Sequence, residues 1–326
     1  LKVLVTGATG FIGWHCASLL RDRGLAVSAL LRPPSDEKKL PKGIAVIRGD
    51  FSSVKSLAAA VHGIDAVIHC AGIVRAVSLA SYWKANVDST ENLCLACRDQ
   101  KVDRFIFISS ITAGGPSSRD KPRDERDADY PLTHYGLSKK SAESVVKKLI
   151  RDSTVLRLCA VYGPRERDIL RMFKLVAEKG LDIRPKGNSP LFSFIDGREV
   201  AKAVLYALKF DVTKKKTYYI SDGNIYEWDD FLTCVEEAVG RKARRIFIPM
   251  WMADTYAMLA DGFSKITRKP PLINREKVLE LRQGAWTCSP ARFSDDTGFH
   301  PDDNLKKGVF ATAEWYREKG WLKWRS

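Results

Sequence analysis

The sequence predicts an α/β fold: a doubly wound parallel sheet with a smaller, interleaved C-terminal lobe. Three observations carry this. Short apolar runs alternate with helical patterns through the first half of the chain. The chain opens on an apolar run, a glycine-rich turn and a helical pattern in direct succession. Beyond Gly163-Pro164 the alternation fades. Such alternation implies a parallel sheet covered on both faces. Right-handed crossovers make it doubly wound, with ligands at the carboxyl ends of the strands.

The elements follow in order. Residues 2–6 read as a strand because Val3-Leu4-Val5 is continuously apolar. Thr6-Gly7-Ala8-Thr9-Gly10-Phe11-Ile12-Gly13 is a tight turn into a helix over 12–23. Further strands are expected over 26–31, 45–48, 66–70, 105–109 and 154–158, with helices over 54–61, 86–100 and 136–151. After Pro164, helices are expected over 168–179, 199–209 and 228–239, and strands over 192–195 and 217–220. Residues 250–266 form an apolar helical stretch interrupted by Asp254 and Asp261. The expected division is a dinucleotide-binding domain over 1–165, completed by about 197–222. A substrate lobe is expected over 166–196 and 223–326.

The 326 residues carry a formal charge of +15, which favours anionic ligands. The excess is dispersed, and no basic motif interleaved with aromatics marks a nucleic-acid reader. No apolar run approaches a membrane span, and no secretory leader is read. Of seven cysteines, Cys94 and Cys97 fall on one face of a helical pattern. They read as core residues rather than a metal or redox pair. No metal site and a cytoplasmic setting are expected.

The chemistry concentrates at three places. Glycines at 7, 10 and 13 let the backbone approach a pyrophosphate, whose charge the following helix N-terminus attracts. Tyr135 and Lys139 stand four apart, on one helix face. A free tyrosine keeps its proton to about pH 10, and a neighbouring ammonium is expected to lower that. Ser110 ends a central strand, placed to donate a hydrogen bond to a substrate carbonyl. At the end of the second strand Leu31-Arg32-Pro33 offers a cation where a carboxylate would select NAD. Arg32 therefore predicts NADP, with NAD open as the alternative.

With these anchors the chain resembles the extended short-chain dehydrogenase/reductase family, the NAD(P)-dependent epimerase/dehydratase superfamily. Gly49-Asp50-Phe51, His69-Cys70-Ala71-Gly72, Ala85-Asn86-Val87 and Val161-Tyr162-Gly163-Pro164 match in order and spacing over nearly the whole chain. The resemblance implies a Rossmann sheet and a catalytic set of Ser110, Tyr135 and Lys139. Lys139 would also hold the nicotinamide ribose. Gly7, Thr9, Gly10, Phe11, Ile12 and Gly13 would contact the pyrophosphate side. Asp50 and Phe51 would lie at the adenine, Ala71 and Gly72 along the cofactor, and Leu158 and Val161 by the nicotinamide.

Ser110-Ile111-Thr112 lacks the acid-bearing Thr-Asp-Glu that family dehydratases carry there, which disfavours dehydration. Residues 189–195 lack the arginine-aspartate motif usual in sugar-nucleotide epimerases. Arg165-Glu166-Arg167-Asp168 and the ending Trp315-Tyr316-Arg317-Glu318-Lys319-Gly320-Trp321 look like the group around 3β-hydroxysteroid dehydrogenases and dihydroflavonol reductases. Hydride transfer on a secondary alcohol or ketone is expected, with epimerisation as alternative. A silent NADP sensor and an RNA-binding member are alternatives from other classes. The expected partner is a small molecule, apolar if the 250–266 stretch walls the site; a homodimer is allowed.

Overall fold

The structure is a computed structural model that describes residues 1–33, 35–187 and 189–323. Residues 324–326 of the expected lobe lie outside the described residues. The apolar runs form strands β1 (Lys2–Thr6), β2 (Ala26–Leu31), β3 (Ala45–Arg48), β4 (Ala66–His69), β5 (Arg104–Ser110) and β6 (Ser153–Leu158). Helices α1 (Phe11–Asp22), α2 (Val54–Val61), α3 (Leu79–Tyr82), α4 (Ser89–Asp99) and α5 (His134–Leu149) lie between them. Then come β7 (Ala160–Tyr162), α6 (Asp168–Lys174), β8 (Leu181–Pro185), β9 (Leu191–Phe192), β10 (Phe194–Asp196), α7 (Gly197–Lys209) and β11 (Lys216–Ile220). The chain continues through β12 (Tyr226–Glu227), α8 (Trp228–Val239), β13 (Arg244–Ile248), α9 (Met250–Thr267), α10 (Arg275–Leu281), β14 (Ala285–Trp286), α11 (Ala291–Thr297) and α12 (Leu305–Glu318).

Seven strands make one parallel sheet in the order β3-β2-β1-β4-β5-β6-β11. Its winding direction reverses between β1 and β4, which opens a crevice at their carboxyl ends. Cys16, Leu20, Val200 and Val204 of α1 and α7 bury one face; Leu57, Leu93, Ala142 and Val146 of α2, α4 and α5 bury the other. Cys94 and Cys97 are fully buried in that second layer. Phe173, Phe194, Phe231 and Tyr316 centre a third core, which holds α6, α8 and α12 to β10.

Three expectations change. The strand expected over 192–195 is two strands, because Ser193 leaves the ladder. Its N–H donates to Trp286 O at 3.1 Å, and its hydroxyl accepts from Cys288 N at 3.1 Å. The helix expected from 86 is preceded by a wide π-type turn over Trp83–Asp88, which turns Asn86 inward. The 250–266 stretch is helical, but most of its large side chains face outward, with Met258 lining a cavity against α10. Ala253 and Ala257 face inward, while Tyr256, Leu259, Phe263 and Ile266 are exposed.

Candidate active site

The glycine turn sits on the β1 side of the crevice. Gly7 adopts φ +70°, and a Cβ there would meet Ala71 N at 2.8 Å, so glycine is required. A Cβ on Gly13 would lie 2.3 Å from Gly7 O; this glycine lets α1 pack onto the turn. Gly10 is exposed, and only Gly7 O approaches its Cβ position, at 3.2 Å. It caps α1 with no side-chain bond, and the first turn holds no acidic residue. The first-turn N–H groups of Phe11 and Ile12, with Thr9 half-buried beside them, leave a cradle that fits an anion such as a pyrophosphate.

Across the crevice, His69 ends β4 opposite Thr6. Thr90 Oγ1 donates to Asn86 O at 2.6 Å, so it accepts from His69 Nε2 at 2.9 Å. His69 Nδ1 then accepts from Thr6 Oγ1 at 2.7 Å, and Thr6 Oγ1 accepts from Ala71 N at 3.1 Å. This chain fixes one neutral tautomer. Burial, helped by the charge of Lys139, drives the imidazole pKa down to about 3. Ala71 and Gly72 are thereby held against the glycine turn. Asn86 secures the next residue: it accepts from Ile73 N at 2.8 Å and donates to Ile73 O at 3.0 Å and Ser138 Oγ at 2.9 Å. Asp50 is exposed, its carboxylate accepting from Ser52 N and Oγ at 2.9 and 2.7 Å. Phe51 stacks on His69 with ring centres 6.2 Å apart.

Ser110, Tyr135 and Lys139 come together one strand further on. Ser110 pairs in register with Leu158, whose turn runs on to half-buried Val161. The Ser110 hydroxyl oxygen accepts from Thr112 N at 3.2 Å and Thr112 Oγ1 at 2.9 Å, so its own proton is free to donate. The half-buried Tyr135 hydroxyl lies close enough for the Ser110 hydroxyl to favour its ionised form. Thr133 caps α5, accepting from Gly136 N at 3.1 Å, and so sets where the helix carrying Tyr135 begins.

Lys139 is buried, its Nζ donating to Ile108 O at 2.6 Å and lying 4.1 Å from the Phe107 ring centre. Burial pulls its pKa down to about 8, against the opposing pull of Glu143 and Cys70. Burial pushes Tyr135 the other way, up to about 12; the nearby Ser110 hydroxyl opposes this, and Glu280 and Tyr82 add to it. The expected lowering of the tyrosine pKa by the ammonium is therefore corrected for the protein without ligands. Desolvation dominates, and Nζ is turned to Ile108.

Sequence reasoning missed what holds this group. Arg157 on β6 grips Glu143 of α5 through Nε at 2.9 Å and Nη2 at 2.7 Å. It reaches Asp129 at 2.6 and 2.8 Å, and Ser109 donates to Glu143 at 2.6 Å. A glutamate one turn after the Tyr135–Lys139 pair, on the same face, was the available signal. Arg32 stands exposed just past the Thr6–Leu30 pair, near the glycine turn. His134 points away from the group, to Glu276 of α10 at 3.2 Å.

A cavity of about 440 Å³ lies between α9 and α10, lined by Asp254, Thr255, Met258, Arg275, Val278, Leu279 and Arg282. None of Ser110, Tyr135 and Lys139 lines it. Among the described residues no cluster of three or more His, Cys, Asp or Glu is arranged to hold a metal. No described helix is long and apolar enough to cross a membrane.

Residues 3–221 match the model of the NAD dependent epimerase/dehydratase family. The ceramide reductase of Caulobacter vibrioides (strain NA1000 / CB15N) is 26% identical over 321 residues, spanning 98% of this chain and 96% of that protein. The crystal structure of gox2253 aligns with a TM-score of 0.83 and 25% identity over 99% of both chains. MoeE5 in complex with UDP-glucuronic acid and NAD aligns at 0.78 and 23% identity, over 98% of this chain and 100% of MoeE5.

Proposed function

The chain belongs to the NAD dependent epimerase/dehydratase family, and from that premise we propose that it is an NAD(P)-dependent oxidoreductase acting on a secondary alcohol or ketone. The observation that carries this reading is the convergence of Ser110, Tyr135 and Lys139 at the end of β5, beside the crevice between β1 and β4. The cradle of Gly7, Thr9, Gly10, Phe11, Ile12 and Gly13 fits the pyrophosphate, with Asp50 and Phe51 toward the adenine. Ala71, Gly72, Leu158 and Val161 would line the remainder. A bound nicotinamide supplies or accepts the hydride. Ser110 donates to the substrate oxygen, and Tyr135 gives that oxygen its proton in reduction or removes it in oxidation. A tyrosine near 12 is protonated at neutral pH, which suits reduction.

In this reading residues 1–165 and about 197–222 bind the dinucleotide, and 166–196 with 223–326 form the substrate lobe. Exposed Arg32 favours NADP over NAD. The likeness to a ceramide reductase supports an apolar substrate, as does the resemblance to steroid and flavonoid reductases. Epimerisation, which the family name admits, has no arginine-aspartate pair over 189–195 to bind a sugar nucleotide. The test is isotopic. NADPH deuterated at the transferring position, incubated with a panel of apolar ketones, should label the product carbinol carbon. Tyr135→Phe should remove the label. Label appearing equally with the Phe variant would contradict the assignment.

A further inference from the structure

α9 is amphipathic with its apolar side turned outward. Met252, Tyr256, Leu259, Phe263 and Ile266 recur at helical spacing along one stripe. Their exposure runs from 44% at Met252 to 80% at Ile266, and Trp251 beside them is 66% exposed. The opposite side, facing α10 and the lobe, carries small residues: Ala253 and Ala257 are buried. On β13, just ahead of the helix, Phe247 is also 51% exposed. Contiguous apolar surface of this kind marks an interaction site rather than scattered surface residues.

We propose that this face of α9 docks on an anionic membrane surface and lies in its interface. Charge selects this partner. From Arg241 to Arg282 the chain carries ten Lys and Arg against four Asp and Glu, and a positive excess remains after Lys242 pairs with Glu236 and Arg245 with Asp229. Arg268 and Lys269 follow the helix and Arg275 opens the next, all exposed, while Lys277 pairs with Glu280 at 3.0 Å. A second copy seated on the same face would bring these like charges together, whereas anionic lipid neutralises them. Large aromatic and aliphatic side chains on one helix side, with basic residues at the helix end, match what interfacial helices use. At 18 residues α9 is about 27 Å long, and no described helix meets the demands of a span. Docking would bring the cavity between α9 and α10 close to the lipid. This inference stands apart from the hydride-transfer reading, since its test measures only binding to vesicles.

The full chain is floated with vesicles of phosphatidylcholine alone and of equal parts phosphatidylcholine and phosphatidylglycerol. Binding to the mixed vesicles is expected, with Leu259→Gln/Phe263→Gln/Ile266→Gln weakening it by about tenfold or more. These side chains face solvent, so the triple variant should keep the wild-type unfolding midpoint. As an independent reading on the unsubstituted protein, brominated acyl chains should quench tryptophan emission, and Trp251→Phe should lose that quenched component. No binding to the mixed vesicles overturns the proposal. So does equal binding by the triple variant, or a wild-type dimer that ignores vesicles and that the triple variant dissolves.

Discussion

Tyr135 and Lys139 are neighbours whose burial acts on them in opposite directions. The phenol is held protonated, at about 12, and the ammonium is weakened, to about 8. Tyr135→Phe should lower turnover roughly a hundredfold or more while leaving the fold and cofactor affinity intact, as steady-state kinetics and calorimetric titration would show. Lys139 links to stability with a definite sign. Its folded pKa lies below its unfolded value, so from about pH 8 to about 10.4 the unfolded chain binds the extra proton. Wild-type stability should therefore rise through that window relative to Lys139→Met, by on the order of 3 kcal/mol, in denaturant titrations at several pH values. A flat difference would place the lysine in water. Tyr-x-x-x-Lys spacing and a strand-end serine were enough to propose these residues. Their charge states were not legible, because desolvation depends on what tertiary packing sets around them.

The elements that carry the site divide between local signals and remote ones. The glycine turn is local, and its glycines do different work. Gly10→Val should keep the fold but impair binding of either nicotinamide cofactor, since its side chain would enter the open cradle. Gly13→Ala should instead destabilise the protein, because the new methyl meets Gly7 O. Intrinsic fluorescence titration and thermal melts would separate the two effects. Equal losses of stability would merge the roles. The grip on α5 is remote: Arg157, Glu143 and Asp129 come from separate stretches of chain and meet only through β6 pairing beside β5. Glu143→Ala should cost about 3 kcal/mol in denaturant titrations by leaving a buried guanidinium short of a partner. The wide turn that sets Asn86 and the outward stripe of α9 were also illegible. Both patterns read as ordinary helix, and periodicity does not say which side of a helix faces the core.

At the scale of the whole molecule, the sheet order places the glycine turn, Ala71–Gly72 and the Ser110–Tyr135–Lys139 group along one edge. The alternation of strands and helices made the doubly wound parallel sheet legible, through the handedness of its crossovers, but not the strand order itself. The chain beyond Gly163-Pro164 was read less fully. The β8–β13 pair and β14 are short, and their partners are distant in sequence. Cofactor choice also belongs to this scale, because Arg32 lies one strand away from the turn it would serve. NADP(H) should bind about ten- to a hundredfold tighter than NAD(H), and Arg32→Asp should reverse that order in paired calorimetric titrations. Equal wild-type affinities would remove Arg32 from the site. The central claim is that one crevice holds the dinucleotide and presents it to Tyr135. A crystal structure with bound NADP tests this most directly. The account predicts the pyrophosphate on the N–H groups of Phe11 and Ile12, and the reactive nicotinamide carbon facing the Tyr135 hydroxyl. A dinucleotide seated elsewhere, or a nicotinamide turned away from Tyr135, would contradict it.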